Sequence, residues 1–263
     1  MIKSKISWIG AGNVGWHLAP ALDNAGFPVS EVYSRNSSHA EALSQRLYGA
    51  KVVGNLDFAD SQSDIFILTV SDDAIPEVTR ELVLPENALL LHTSGSVPMS
   101  KLEYAAIEDF GVLYPLQTFS KARKVRVADV PFMIEGSTEK AEMMAFKLAS
   151  AISKSVQVAS SETRSQYHLA AVFACNFTNY LMSKAESWVE EKGLDFDVLH
   201  PLIVETIQKS LQNGPSASQT GPAKRGDINT IAKHLDMLSD KPEMAALYRL
   251  LSDKIREDFD QNI

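Results

Sequence analysis

Three glycines at a fixed spacing supply the first chemistry legible in the chain. Gly10-Ala11-Gly12-Asn13-Val14-Gly15 follows a short run with apolar Ile6, Trp8 and Ile9, and it opens into a helical stretch from Val14 to Asn24. A strand, a tight turn and a helix in this order form a dinucleotide site. Gly10 permits the turn, Gly12 lets the backbone approach a diphosphate, and Gly15 lets the helix pack closely on the strand. The unpaired N–H groups and positive dipole end of the helix then face the phosphates. Ser34-Arg35-Asn36 lies at the end of the next strand pattern, about twenty residues on, where an NAD site places Asp or Glu to bind the ribose 2′-OH. A cation flanked by short polar side chains suits a 2′-phosphate instead, which favours NADP(H). The alternative is a solvated surface arginine.

Further polar groups sit where a substrate could be handled. Ser165 to Asn179 is mostly small and apolar all round, so the spacing predicts a helix buried between other elements. On it, Arg164, His168, Cys175 and Asn179 fall on one stripe, with Asn176 on its flank. One reading makes these satisfied core residues. The alternative is that His168 and Asn176 face a nicotinamide, the imidazole moving the proton that accompanies hydride transfer and the amide orienting a carbonyl oxygen. In Thr220-Gly221-Pro222-Ala223-Lys224-Arg225-Gly226-Asp227, two cations follow a constrained turn and Asp227 can cap the next helix. This is either an anion-binding loop or a solvated connector. Tyr180 and Lys184 have the Tyr-x-x-x-Lys spacing of short-chain dehydrogenases, but they lie beyond the strand region and the glycine spacing is not the one those enzymes use. No metal site is expected: His17, His39, His92, His168, His200 and His234 show no i,i+4 pairing, and Cys175 is the single cysteine.

Elements must position these groups. Strand patterns recur at Pro28–Tyr33, Lys51–Val53, Asp64–Val70, Ala88–Leu91 and Gly111–Leu113. The near-continuous apolar run Ile65 to Leu68 is that of a strand covered on both faces. Three of these strands end in polar loops, Ser71-Asp72-Asp73, His92-Thr93-Ser94-Gly95-Ser96 and Tyr114-Pro115-Leu116-Gln117, a pattern that builds a cleft at the carboxyl edge of a parallel sheet. Phe132–Gly136, a helix over Thr138–Ser153, and Ser155–Val158 complete the sheet. Strand signals then give way to helical stretches at 162–192, 195–213, 227–238 and 242–255, with a Ser/Gly/Pro-rich loop at 213–222. The expected fold is α/β: a doubly wound, mostly parallel Rossmann sheet over residues 1–159, followed by a smaller all-helical domain over 160–263.

Composition narrows the function classes. With 263 residues, 45% of them hydrophobic, a sizeable core is possible. A formal charge of −8 argues against nucleic acid or an anionic membrane as the main partner. One cysteine allows no intrachain disulfide, which fits a reducing, cytoplasmic setting. Asn13 and His17 interrupt the apolar start, against a signal peptide, and no run is long and apolar enough to span a bilayer.

Taken together, the glycine loop, Ser34-Arg35-Asn36, Thr69-Val70-Ser71-Asp72-Asp73, His92 to Ser96, Tyr114 to Phe119 and Thr220 to Asp227 resemble one bacterial group. It is a group of NADP oxidoreductases with a Rossmann-like domain and a helical C-terminal domain of unknown function. The group is similar at a distance to deazaflavin-dependent NADP oxidoreductases, pyrroline-5-carboxylate reductase, ketopantoate reductase and 6-phosphogluconate dehydrogenase-like enzymes. The resemblance implies NADP(H) in the first domain, a substrate in the interdomain cleft, and a homodimer built through the helical domain. The resulting expectation is an oxidoreductase acting on a small carbonyl, imine or hydroxyacid-type metabolite. The cofactor would lie over Gly10, Ala11, Gly12, Asn13, Val14 and Gly15, its 2′-phosphate at Ser34, Arg35 and Asn36, and its nicotinamide near Val70, Ser71 and Ser94. His168, with Asn176, would be catalytic; His92, Gln117, Lys224 and Arg225 would hold the substrate. Hydroxyacid dehydrogenase relatives carry a lysine and an asparagine four residues apart on this helix, and no lysine occupies the matching turn here. That difference keeps two alternatives in play, a non-catalytic NADP(H)-binding sensor and a deazaflavin or flavin as redox partner.

Overall fold

The structure, a computed structural model, describes residues 4–260. Its elements run β1 (Ile6–Ile9), α1 (Asn13–Asn24), β2 (Val29–Tyr33), α2 (Ser37–Ser44), β3 (Lys51–Val52), β4 (Ile65–Leu68), α3 (Ile75–Glu81), β5 (Leu89–His92), β6 (Asp109–Pro115), β7 (Phe132–Gly136), α4 (Glu139–Ile152), β8 (Val156–Val158), α5 (Ser161–Ala171), a π-helical turn (Val172–Phe177), α6 (Thr178–Glu191), α7 (His200–Asn213), α8 (Pro215–Ser218), α9 (Ile228–Met237) and α10 (Pro242–Asp260). The sheet order is β3-β2-β1-β4-β5-β6-β7-β8. Neighbours from β3 through β6 pair in parallel, β7 runs antiparallel to β6, and β8 is parallel to β7. Strand order reverses between β1 and β4, which creates a crevice at their carboxyl ends.

The sheet is covered on both faces, as the unbroken apolar runs of β4 and β5 require; all four residues of each are buried. Leu18, Ala19 and Leu22 of α1 and Ala141, Ala145 and Leu148 of α4 belong to one cluster with Ile6, Trp8, Ile65 and Ile67. Ile9, Phe66, Leu68 and Leu90 belong to another with Ile75 and Leu102. Alternation along each strand sends successive side chains to opposite faces.

The chain divides into two compact units between Phe173 and Ala174. Strands end at Val158, where their signals fade in the sequence, but the division falls later because α5 is bonded into the first unit. In the second unit, Ala223 and Leu238 are the buried apolar residues among those described. Two expectations need correction here. The long helix after the sheet is not buried in the chain: Leu169, Phe173 and Phe177 are exposed. The 213–222 segment is not only loop, since Pro215 starts the short helix α8. Among the described residues, no helix is long and apolar enough to cross a membrane.

Candidate functional site: a switch-point cavity and a tyrosine–histidine pair

The glycine loop is locked from beneath by residues remote in sequence. Gly10 has φ +105°, a conformation that favours glycine, and a Cβ there would lie 2.7 Å from the Thr69 carbonyl carbon. Trp8 Nε1 donates to Thr69 Oγ1 at 2.9 Å, and Thr69 Oγ1 donates to the Gly10 carbonyl at 2.7 Å. A Cβ on Gly15 would meet this lock, 2.7 Å from Trp8 Nε1. Gly12 differs. Its Cβ would meet only Thr69 O, at 3.7 Å, so the protein leaves space there that a phosphate group can use. No side chain caps α1, whose first N–H groups stay available to an anion.

Around this loop lies a cavity of about 510 Å³, lined by Gly10, Ala11, Gly12, Ser34, Arg35, Asn36, Val70 and Ser71, with His39 from α2 and Glu77 and Glu81 from α3. It occupies the point where strand order reverses. Eight sequence-predicted cofactor residues therefore line one space. Asn13, Val14 and Gly15 form the adjoining first turn of α1. Arg35 is exposed. Asn36 is committed in part to capping α2, its Oδ1 accepting from Ser38 N and Ser38 Oγ. His39 was not singled out in the sequence, although it follows Arg35 by one helical turn.

A second cluster forms at the carboxyl ends of β5 and β6. Tyr114 Oη and His168 Nδ1 are 3.1 Å apart and share a hydrogen bond. Gly95 packs against both: a Cβ there would lie 2.6 Å from Tyr114 Cζ and 2.7 Å from His168 Nδ1. Ser96 Oγ donates to Asp72 Oδ2 at 2.6 Å. Burial raises the Tyr114 pKa and the Asp72 charge adds to this, while the Arg164 charge works the other way. The phenol therefore keeps its proton and can both donate and accept.

Other expected residues hold different places. Ser94 is buried, and its Oγ accepts from Ser96 N and Val97 N, shaping the loop around Gly95. His92 has no exposed surface; its Nδ1 accepts from Ser94 N at 3.1 Å. Burial, with the Arg164 charge, pushes its pKa down to about 3. It is a neutral ring that holds Ser94, which corrects the expectation of substrate contact. Gln117 is exposed and its Oε1 accepts from Thr118 N. In the second unit, Asn176 is exposed on the π turn, Arg225 is exposed, and Lys224 Nζ donates to Gln219 O. Asp227 caps α9 as its position suggested, accepting from Thr230 N. Along the expected stripe Arg164 is buried and His168 half-buried, whereas Cys175, Asn176 and Asn179, in or beyond the π turn, are exposed. Among the described residues, no group of three or more His, Cys, Asp or Glu is placed to hold a metal ion.

Comparison with known proteins decides the family. The crystal structure of putative NADP oxidoreductase BF3122 from Bacteroides fragilis is 41% identical, with 97% of this chain and 98% of that one covered and a TM-score of 0.90. The chain belongs to that family of NADP oxidoreductases. Residues 5–94 match the family model described as NADP oxidoreductase, coenzyme F420-dependent, and residues 130–255 match a domain of unknown function (DUF2520). The expected fold, resemblance and cofactor are thus borne out: the protein is an NADP(H)-dependent oxidoreductase. Protein TM1727 from Thermotoga maritima shares the fold at 23% identity, TM-score 0.68, over 97% of this chain and 98% of that one. So does a reductive aminase from Aspergillus terreus in complex with NADPH and ethyl levulinate, at 15% identity and TM-score 0.71, over 98% of this chain and 95% of that one. No protein of curated function matches the chain.

Proposed function

We propose that the protein acts on a small carbonyl, imine or hydroxyacid-type metabolite, reducing the carbonyl or imine form with NADPH along the switch-point cavity and His168 as proton donor. The observation that carries this reading is the Tyr114–His168 pair against Gly95 at the carboxyl edge of the sheet. Gly10 to Gly15 would receive the diphosphate, Arg35 the 2′-phosphate, and Val70, Ser71 and the Ser94 loop would flank the nicotinamide. The cofactor, when bound, supplies hydride to the electrophilic carbon. His168 in its imidazolium form gives a proton from Nε2 to the substrate oxygen or nitrogen and becomes neutral. The proton that leaves is the one on Nε2, so Nδ1 keeps its own, and the phenol of Tyr114 accepts from Nδ1–H before and after the step, which holds the ring in place through both states.

The test is a screen of aldehydes, 2-keto acids, cyclic imines and keto-lactones for NADPH oxidation. On an active substrate, His168→Ala is expected to lower kcat by about 10²- to 10⁴-fold; unchanged turnover would remove His168 from the chemistry. The family model's description favours one further redox partner, so the same assay with coenzyme F420 in place of the carbonyl compounds decides whether hydride passes to a deazaflavin.

The exposed apolar faces of the second unit support a homodimer built through it. Leu181, Leu202, Leu211 and Leu250 are exposed, and a helical unit this size needs a core.

A further inference from the structure

We propose that Arg164 is a positioning residue for the redox site: a buried fork that fixes the helix carrying His168 against the loop carrying Gly95. This rests on the reading that His168 and Tyr114 handle the proton. The Arg164 side chain has no exposed surface. One end nitrogen donates to Glu135 Oε2 on β7 at 2.5 Å. The other donates to the Val97 carbonyl at 2.7 Å and to Ser161 Oγ at 3.1 Å. Ser161 N and Oγ donate to the two oxygens of Glu135 at 3.0 and 2.7 Å, and Met99 N donates to Ser161 Oγ at 3.0 Å.

Three pieces of the molecule are thereby tied to one planar cation: the start of α5, the end of β7, and the segment after β5. His168 lies one helical turn beyond Arg164 on the same face. Val97 lies two residues beyond Gly95, whose surface is fitted to the Tyr114–His168 contact. A shift of α5 along β7 would therefore open that contact first. A structural ion pair alone could sit anywhere on the sheet. This one instead joins the two segments whose separation sets the contact between His168 and the Gly95 loop. Its charge also reaches the site, acting on both Tyr114 and His92. The ionisable groups acting on Tyr114 are Asp72 from the turn after β4 and Arg164 and His168 from α5, with Glu135 of β7 neutralising the guanidinium.

A fork is needed because lysine offers a point charge and cannot bond Glu135 and Val97 in one plane. The test uses the full-length protein labelled with ¹⁵N-histidine and ¹³C-tyrosine, without substrate, so that its outcome is independent of turnover. His168→Ala and Tyr114→Phe assign the signals. In Arg164→Met/Glu135→Gln, which removes both charges together, the His168 Nδ1 signal is expected to lose its hydrogen-bonded position and the Tyr114 titration to move to higher pH. Arg164→Lys should restore the Tyr114 titration while leaving the His168 signal displaced, and it decides the matter if the double variant does not fold. Wild-type His168 signals in either folded variant would overturn the proposal and leave the fork a structural tie. Failure of the catalytic reading would show separately, as turnover that survives His168→Ala.

Discussion

Helices α4 and α7 are each 14 residues long, yet they treat their apolar side chains in opposite ways. Helix α4 buries Ala141, Ala145, Leu148, Ala149 and Ile152 against the sheet; α7 buries nothing. Leu148 has no exposed surface, whereas Leu202 is 64% and Leu211 82% exposed. The same contrast runs through the two units. The sheet unit carries its own core, and the helical unit leaves Leu202, Ile207, Leu211 and Leu250 exposed. Covering what Leu202, Ile207 and Leu211 leave exposed would contribute roughly 3–6 kcal/mol at the usual value for a buried aliphatic side chain. The first unit therefore accounts for its own core, and the exposed side chains of the second are what the proposed dimer would cover.

The largest effect should come from breaking that contrast. Leu202→Glu/Leu211→Glu is expected to weaken self-association by at least about 10²-fold, or about 2.7 kcal/mol, as read by sedimentation at several concentrations. A wild type that sediments as a monomer at all of them would show that the apolar faces serve another purpose. Within the sheet unit, two glycines three residues apart sharpen the distinction between fold and ligand. Gly15→Ala places a methyl against Trp8 Nε1 and Thr69 Oγ1, and should lower stability by about 1–3 kcal/mol in chemical unfolding. Gly12→Ala meets open space on the protein side, so unfolding should be unchanged while NADPH affinity falls by about tenfold or more, about 1.4 kcal/mol. Equal unfolding behaviour in the two variants would refute the division of roles.

A smaller effect concerns Glu31. Burial alone would raise its pKa, but hydrogen bonds from Ser61, Ser7 and Lys51, with the Lys51 charge, together hold it below the usual 4.5. A lowered folded-state pKa gives stability that is present above the unfolded value and is lost as pH falls through the folded one. The wild type should lose on the order of 1 kcal/mol in that acid window, discounted for the solvent-exposed Lys51. Glu31→Gln should be less stable at neutral pH and show a flatter acid dependence in denaturant titrations.

Much of the sheet unit was legible because its signals are local. Val29–Tyr33, Phe132–Gly136 and the helix over 139–152 emerge from alternation, apolar runs and turn residues within short windows. The partners in the candidate site are not local. Tyr114 and His168 stand 54 residues apart, and Trp8 and Thr69 stand 61 apart; no periodicity links them. Gly95 held a clue, being a glycine set among Thr93, Ser94 and Ser96 at a strand end, where close approach by another element explains it. The buried Arg164 was read only as one member of a stripe, and the π turn leaves no simple mark in residue spacing. Asn176 was drawn toward the chemistry by its place on the flank of that stripe, and it lies exposed in the π turn.

The central claim, that the switch-point cavity holds NADP(H) through Arg35, is tested most directly by calorimetric titration of the wild type and Arg35→Glu with NADPH and NADH. The account predicts tighter binding of NADPH by on the order of 10²-fold in the wild type, with the order of preference reversed in the variant. Equal affinities in the wild type, or a preference that Arg35→Glu leaves unchanged, would contradict it.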